Sequence, residues 1–294
     1  MLPLGEIFKC HNISFHCYAD DTQIHLPLRP DDPRSLAAVS DCLNDVSRWM
    51  AQNFLQLNSS KSEVILFGPP NSTIAIKNSL GPLSSNITPT ARNLGVIFDS
   101  DLSFQLHINK VIQSCFLQLR TISKIKPIVP HHNLETIIHS FIFSRLDYCN
   151  SLLSGISQKS LSRLQLVQNA AARLLTGFSR HHHITPILAS LHWLPVCFRI
   201  DFKILLITFK ARMGLAPSYI QEMLVDYEPA RSLRSSGRGL LAVPKSRLKS
   251  KGDRAFSIRA PQLWNGLPEE IRLAESVTSF KSLLKTHFYR IAFM

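Results

Sequence analysis

The six cysteines of this chain lack the close spacing that metal and redox motifs require. They stand at Cys10, Cys17, Cys42, Cys115, Cys149 and Cys197. No two of them form a Cys-x-x-Cys pair, which argues against a zinc knuckle and against a redox dithiol. Cys10-His11 and His16-Cys17 resemble ligand pairs only superficially, because Cys17 also fits a strand as a small apolar residue. Unpaired cysteines are typical of a reducing compartment, so we expect an intracellular protein, nuclear or cytoplasmic.

The sequence also lacks a long apolar run. The longest lies near Ile204–Phe209 and is flanked by Lys203 and Lys210. A helix that crosses a bilayer needs about 20 apolar residues, so we expect no membrane partner. The chain opens without a charged-then-apolar leader, and we therefore expect no signal peptide. Hydrophobic residues still make up 45% of the chain, which is enough to build a sizeable core.

Acidic residues are scarce in the second part of the chain. Residues 1–104 hold 7 Lys+Arg and 10 Asp+Glu, a net charge of −3. Residues 105–294 hold 26 Lys+Arg and 10 Asp+Glu, a net charge of +16. A basic surface suits a phosphate backbone, which supplies most of the non-specific affinity for nucleic acid. A surface that only keeps the protein soluble is the alternative.

Basic residues are densest in residues 229–260, where nine Lys+Arg accompany a single acidic residue, Asp253. Gly, Ser and Pro are frequent there, so the composition indicates an exposed arm. The predicted phosphate contacts of this arm are Arg231, Arg234, Arg238, Lys245, Arg247, Lys249 and Lys251. A disordered linker is the alternative. Upstream, the run 181–183 of three histidines predicts a solvated, weakly cationic loop, because consecutive side chains diverge and cannot share one ion.

Two adjacent carboxylates follow an aromatic residue in Tyr18-Ala19-Asp20-Asp21. Short alternating apolar runs stand on either side of them, at 13–18 and 22–26. Such runs joined by a tight polar turn predict a β-hairpin, which would hold Asp20 and Asp21 at its tip. Carboxylates held close together suit Mg²⁺, because hard cations prefer oxygen ligands. A solvated Asp-Asp turn is the alternative.

Further motifs follow the carboxylate pair along the chain. They are Thr22-Gln23, Arg48-Trp49-Met50, Asn53-Phe54-Leu55-Gln56-Leu57-Asn58, Lys61-Ser62-Glu63, Leu94-Gly95-Val96-Ile97-Phe98-Asp99, Leu102-Ser103-Phe104, Leu191-His192-Trp193-Leu194-Pro195, Phe209-Lys210, Gly214-Leu215-Ala216-Pro217 and Ala260-Pro261-Gln262-Leu263-Trp264-Asn265-Gly266-Leu267-Pro268. With these motifs the chain, from about Ile13 onward, resembles the C-terminal part of the reverse transcriptase of LINE-type (non-LTR, jockey-like) retrotransposons.

The resemblance implies an α+β fold with three regions. A partial polymerase palm, made of the hairpin, a helix and short strands, would occupy residues 1–104. A helical, thumb-like region would follow at 105–180, and a helical, basic region at 181–294. The thumb of such a polymerase grips the template–primer duplex; a helical region that only packs against the rest is compatible with the same pattern.

The resemblance also implies roles for single residues. Asp20 would be a catalytic metal ligand supported by Asp21, with Mg²⁺ as the cofactor. Lys61 would lie near the phosphates of the incoming nucleotide. The segment that positions the 3′ end of the primer, called the primer grip, would be Leu94, Gly95 and Val96. The implied reaction is RNA-directed DNA synthesis, and the implied partner is RNA or an RNA–DNA hybrid.

Only 17 residues precede Tyr18, whereas the core of that polymerase family begins further upstream, with another essential Asp and the fingers. We therefore expect a truncated polymerase that is inactive alone, since positioning accounts for most of phosphoryl-transfer catalysis. Asp99 and Asp101 fit turn positions after a strand better than they fit the lost ligand. Two alternatives stay open: a non-enzymatic nucleic-acid-binding protein that uses the basic C-terminal half, and a fragment without a selected function. The oligomeric state also stays open.

Periodicity predicts the elements around these motifs. Apolar residues at spacings of three and four predict a helix over about 35–53, with Asp32 or Ser35 as its N-cap. Residues 63–67 predict a short strand, and 71–93 a loop with a strand near 74–76. Further helices are predicted over about 107–123, 134–153, 160–177 and 277–293, and a helical unit is predicted over about 185–224. The third of these would begin at the N-cap Ser160 and end at Gly177, and Trp264 is expected to be buried.

Overall fold

A computed structural model describes residues 2–29, 32–228, 239–246, 248 and 251–294. These residues form α-helices and two antiparallel β-hairpins, a mixture compatible with the predicted α+β class. The chain divides into two compact units, Met1–Ser103 (unit 1) and Phe104–Met294 (unit 2).

Unit 1 combines three helices with the two hairpins. Its helices are α1 Leu2–Cys10, α2 Pro33–Gln52 and α3 Pro70–Ser79. Its strands are β1 Ser14–Tyr18, β2 Asp21–His25, β3 Thr90–Asn93 and β4 Val96–Asp99. Short 3₁₀ turns occupy Ser59–Lys61 and Gly81–Asn86. β1 pairs with β2 and β3 pairs with β4, so the strands form two separate two-stranded sheets.

The first hairpin is held by an apolar cluster on one of its faces. Phe15 and Ile24 pack against a buried group from α1, α2 and the residue before β1. That group consists of Leu4, Phe8, Ile13, Cys42 and Val46. Because strand side chains alternate between faces, the opposite face of the hairpin points away from this cluster. The alternation predicted from the sequence is confirmed from Ile13 to His16, whereas Cys17, on the same face as Phe15, is exposed.

The first long helix begins as the sequence predicts. The Oδ1 atom of Asp32 accepts a hydrogen bond from the backbone N–H of Arg34 at 3.1 Å, which makes Asp32 the N-cap of α2. Pro33 follows at the first helical position, where its missing N–H costs nothing. The prediction of a helix over about 35–53 is confirmed within the usual uncertainty of helix ends.

Two strand predictions in unit 1 were wrong. Residues 63–67 contribute only an isolated parallel bridge between Val64 and Ile87. Residues 74–76 lie in α3 and not in a strand. The prolines 69 and 70 start this helix, and its buried side is formed by Ile76 and Leu80 against Leu36. Since a helix buries only one stripe, Ile74 stays 60% exposed.

Unit 2 is helical in the residues that the structure describes. Its helices are α4 Gln105–Ile125, α5 His131–Ile138, α6 Ser144–Asp147, α7 Gln158–Thr176, α8 Ile184–Ser190, α9 Val196–Arg212, α10 Ser218–Gln221, α11 Phe256–Asn265, α12 Glu269–Arg272 and α13 Val277–Phe293. A π-helical turn, His139–Phe143, joins α5 to α6. Short 3₁₀ turns occupy Lys126–Ile128, Asn150–Leu153 and Gly252–Arg254.

The helix predictions for unit 2 are confirmed for α4, α7 and α13, whereas the helix predicted over 134–153 ends at Asp147, because Cys149 adopts a left-handed conformation. The last helix has both predicted ends, and α7 ends at Gly177, whose φ of +79° is the left-handed value expected of a C-terminal glycine. The predicted N-cap of α7 was wrong by almost one turn. Ser157 is the N-cap, and its hydroxyl accepts from the backbone N–H of Ser160 at 3.2 Å. The wrong N-cap was predicted because Ser157 and Ser160 are three residues apart and either serine suits that position.

An aromatic stack lies at the centre of unit 2. The rings of Phe209 and Phe280 are 4.3 Å apart between centroids, and Trp264 lies 5.9 Å from Phe280. All three side chains are fully buried, which confirms the predicted burial of Trp264. The indole N–H of Trp264 donates to the carbonyl oxygen of Gly239 at 2.8 Å, so its polar atom is paired inside the core.

We predict that Phe280→Ala destabilises unit 2 by about 3–5 kcal/mol, because it removes a fully buried ring from this stack. Leu283→Ala is the matched control on the same helix. That side chain is 37% exposed, so its loss is expected to cost less than about 1 kcal/mol. Urea unfolding followed by tryptophan fluorescence measures both. Equal losses in the two variants would contradict the central role of the stack.

Candidate functional site

The Asp-Asp pair lies at the tip of the first hairpin, as predicted. Tyr18 pairs with Asp21, which leaves Ala19 and Asp20 as a two-residue loop. Ala19 has a φ of +56°, a left-handed value that the tight turn imposes. Asp20 therefore belongs to the loop and Asp21 to the start of β2, and both side chains are exposed. The hairpin presents two neighbouring carboxylates to solvent from a base that is packed on the core.

The second hairpin contains the residues predicted as a primer grip. Its loop consists of Leu94 and Gly95, with φ values of +43° and +84°. Two positive values in a two-residue loop are the signature of a type I′ turn, which matches the twist of the flanking strands. Val96 begins β4 and is buried, whereas Leu94 is 38% exposed.

A side-chain hydrogen bond joins the two hairpins. The Nε2 atom of Gln23 on β2 donates to the Oδ1 atom of Asn93 on β3 at 2.6 Å. Gln23 is two residues from Asp21, so both side chains leave the same face of β2. Asn93 directly precedes the loop of the second hairpin. The structure thus brings the carboxylate hairpin next to the predicted primer-grip hairpin.

Lys61 does not lie with the carboxylate pair. It is the exposed last residue of a 3₁₀ turn, and within the described part of the chain its ammonium forms no ion pair with Asp20 or Asp21. The residues after it are tied to β3, because the Oε2 atom of Glu63 accepts from the backbone N–H of Arg92 at 3.1 Å. The predicted role of Lys61 at a nucleotide phosphate therefore stays a prediction.

Asp99 serves as a turn residue, which confirms the prediction made for it. Its Oδ1 atom accepts hydrogen bonds from the backbone N–H groups of Asp101 at 3.2 Å and of Ser103 at 2.9 Å. These bonds shape the chain after β4. Its carboxylate is thus engaged by its own turn.

The donors at the hairpin tip fit Mg²⁺ in their chemistry. Magnesium is often bound by one or two carboxylates, with water and substrate phosphate oxygens completing its shell. Asp20 and Asp21 would hold the ion, which would neutralise charge on a phosphate that joins it there. Within the described residues, no group of three or more His, Cys, Asp or Glu side chains could hold a metal ion.

Unit 2 contains two adjacent helices that carry no acidic residue, α4 and α7. They lie side by side and parallel, as three side-chain hydrogen bonds show. The Ser160 hydroxyl donates to Gln105 at 3.0 Å, and Arg163 donates to Asn109 at 2.8 Å. At the other end the Lys126 ammonium, just after α4, donates to the carbonyl oxygen of Leu174 at 2.6 Å.

The outer face of α4 carries cations that the sequence analysis did not single out. Lys110, Arg120 and Lys124 are exposed and lie within about 80° of one another around the helix axis. The feature of the sequence that could have identified these cations is the scarcity of acidic residues around them. Residues 102–200 contain ten Lys+Arg and only two acidic residues, Glu135 and Asp147. We call Lys110, Arg120 and Lys124, with Arg163 beside them on α7, the cationic face.

Three acidic residues of unit 2 form ion pairs with arginines outside α4 and α7. Asp147 pairs with Arg199, Asp226 with Arg212 at 3.2 Å, and Asp201 with Arg259 at 3.5 Å. Burial raises the pKa of the Asp201 carboxyl, and the neighbouring Arg259 partly offsets this effect. These pairs involve α6, α9 and α11, so they leave the positive charge of the cationic face in place.

The predicted basic arm is only partly described. Arg231, Arg234, Arg238, Arg247 and Lys249 lie outside the described residues. Lys245 is exposed and Lys251 is half-buried. The described residues on either side of 229–238 are held together, since Asp226 and Leu241 form an antiparallel bridge. The guanidinium of Arg212 also donates to the carbonyl oxygen of Gly239 at 2.9 Å.

Comparison with protein-family models, with curated proteins and with solved structures found no match to this chain. The described helices include none that is long and apolar enough to cross a membrane. All six cysteines are free thiols, and burial raises the pKa of Cys115 to about 11. The interpretation of the site therefore depends on the sequence motifs and on the geometry given above.

We predict that Ala19→Gly stabilises unit 1 by about 0.5–1 kcal/mol. Glycine adopts a positive φ without the steric cost that alanine pays, and this gain exceeds the entropy that glycine loses on folding. Ala37→Gly, the same change on the exposed side of α2, is the control and is expected to destabilise by about 1 kcal/mol. Thermal unfolding compares them. Destabilisation by both variants would contradict the turn geometry.

Proposed function

We propose that this chain is a nucleic-acid-binding part of a LINE-type reverse transcriptase, with RNA or an RNA–DNA hybrid as its partner. The order of its motifs supports the family, as does the carboxylate pair at the tip of a tight hairpin. The hydrogen bond between Gln23 and Asn93 adds support, because it sets a second hairpin with the primer-grip sequence beside the first.

The observation that carries the binding function is the cationic face. Lys110 and Lys124 are 14 residues apart on α4, which corresponds to about 21 Å along the helix. This length matches about six base pairs of a duplex, given a rise of about 3.4 Å per step. Neither α4 nor α7 carries an acidic side chain that would repel phosphates. A face of this length and charge fits an extended polyanion better than it fits a small anion.

Catalysis by the chain alone is the weaker part of the polymerase interpretation. Asp20 and Asp21 are both exposed, and the described residues add no third metal-binding side chain to them. Two carboxylates in open solvent bind Mg²⁺ weakly and orient it poorly, whereas phosphoryl transfer depends on fixed positions. Binding without polymerisation is thus the activity that we assign to this chain.

Purified protein is expected to incorporate no nucleotide on a primed RNA template with Mg²⁺, because its metal ligands are incomplete. A primer-extension assay measures this, with an active reverse transcriptase as the positive control. Asp20→Asn is assayed beside the wild type to identify contaminating polymerase. Incorporation by the wild type that Asp20→Asn abolishes would overturn the assignment of binding alone.

Binding to an RNA–DNA hybrid is expected to weaken steeply with salt and to depend on the cationic face. Replacement of Lys110, Arg120 and Lys124 by glutamine should weaken binding about ten- to hundredfold and make the slope of log K against log salt shallower by about 2–3. Fluorescence anisotropy across a salt series measures both quantities.

The matched control for that variant replaces Lys281, Lys285 and Arg290 on α13, which are also exposed, by glutamine. It removes the same charge from another face and should change binding much less. Equal weakening in the two triple variants would assign binding to net charge and not to the cationic face. Absence of binding by the wild type at low salt would reject the proposed function.

A further inference from the structure

The loop between α7 and α8, residues 177–183, concentrates cations around an exposed aromatic ring. All seven residues are exposed, and Phe178 keeps 47% of its surface accessible. Arg180 and the three histidines 181–183 follow it. No acidic residue occurs anywhere from residue 148 to residue 200. The function proposed above does not use this loop.

Contacts within the loop hold it in a defined shape. The Arg173 guanidinium donates to the carbonyl oxygen of His182 at 3.2 Å. The imidazole of His182 is hydrogen-bonded through Nδ1 to the Ser179 hydroxyl at 3.0 Å, and its ring lies 5.1 Å from that of Phe178. Gly177 supplies the left-handed turn at the start. A loop that is ordered in this way loses little entropy when it binds a ligand.

The groups packed around the loop are also cationic. Arg173 reaches it from α7, and the Lys126 ammonium, which follows α4, lies beside Gly177 at the start of the loop. Arg180 lies within the loop itself. Three positive charges thus surround a loop that contains no carboxylate, and a bound anion would relieve their mutual repulsion.

We propose that this loop binds single-stranded nucleic acid, with a base stacked on Phe178 and phosphates at Arg180 and the loop histidines. The inference deepens the proposed function and rests on it. Single-stranded nucleic acid combines both requirements of the loop, because each nucleotide offers a flat base and a negative phosphate. A lipid headgroup or an inorganic polyanion would use the cations and leave the ring of Phe178 without a role.

The test measures binding of a short fluorescent oligouridylate by anisotropy, across a salt series. Arg180→Gln is expected to weaken binding several-fold and to make the slope of log K against log salt shallower by about 0.7, because it removes one phosphate contact. The triple variant His181→Gln, His182→Gln, His183→Gln should also weaken binding, because it removes the imidazole groups that face the phosphates.

The matched control is the variant His131→Gln, His132→Gln, which changes exposed histidines on α5 and should leave oligouridylate binding unchanged. Phe178→Ala should weaken oligouridylate binding about tenfold and leave binding of inorganic polyphosphate unchanged. Unchanged fluorescence of the buried Trp264 verifies that each variant is folded.

Three outcomes would overturn the inference. Equal oligouridylate binding by the wild type, Phe178→Ala and the loop triple variant would assign single-strand binding to another surface and leave the proposed function intact. Binding to phosphatidylserine vesicles with the same dependence on Phe178, without binding to oligouridylate, would reassign the loop to a membrane surface. Failure of the wild type to bind either oligouridylate or hybrid at low salt would overturn the proposed function together with the loop.

Discussion

Burial of Trp264 is the constraint on which the second unit depends. An indole ring can enter a core only if its N–H finds a partner, and here that partner is the carbonyl oxygen of Gly239. The bond fixes the chain at Gly239, next to Leu241, which enters the same core. The side chain of Asn265 adds two more hydrogen bonds to the backbone of Leu241. One aromatic residue thus fixes the backbone of residues 239–241 against the core.

Local chemistry made part of this fold predictable. The first hairpin follows from short alternating runs on both sides of a tight turn, and α2 follows from a capping Asp before Pro33. The helix α3 was missed because Ile74 and Ile76 alternate as strand residues do. The prolines before them outweigh that pattern, since Pro70 is suited to a first helical position.

Contacts between distant residues could not be predicted in the same way. The bond between Gln23 and Asn93 joins polar side chains 70 positions apart, and no periodicity marks either of them. The parallel pairing of α4 with α7 likewise depends on single polar contacts such as that between Arg163 and Asn109. The carboxylate pair was found because adjacent acids after an aromatic residue form a local pattern. The cations of α4 were overlooked because the sequence marks them only by the absence of acidic residues from that helix.

The parallel arrangement of α4 and α7 also has an electrostatic consequence. Helix dipoles that point the same way repel one another, and each leaves about half a negative charge at its C-terminal end. Lys126 follows the last turn of α4 and contacts the last turn of α7, so one ammonium offsets both negative ends. Neither helix has an acidic side chain in its first turn. The N-terminal ends near Gln105 and Gln158 therefore add roughly one further positive charge, supplied by backbone N–H groups that no count of side chains includes.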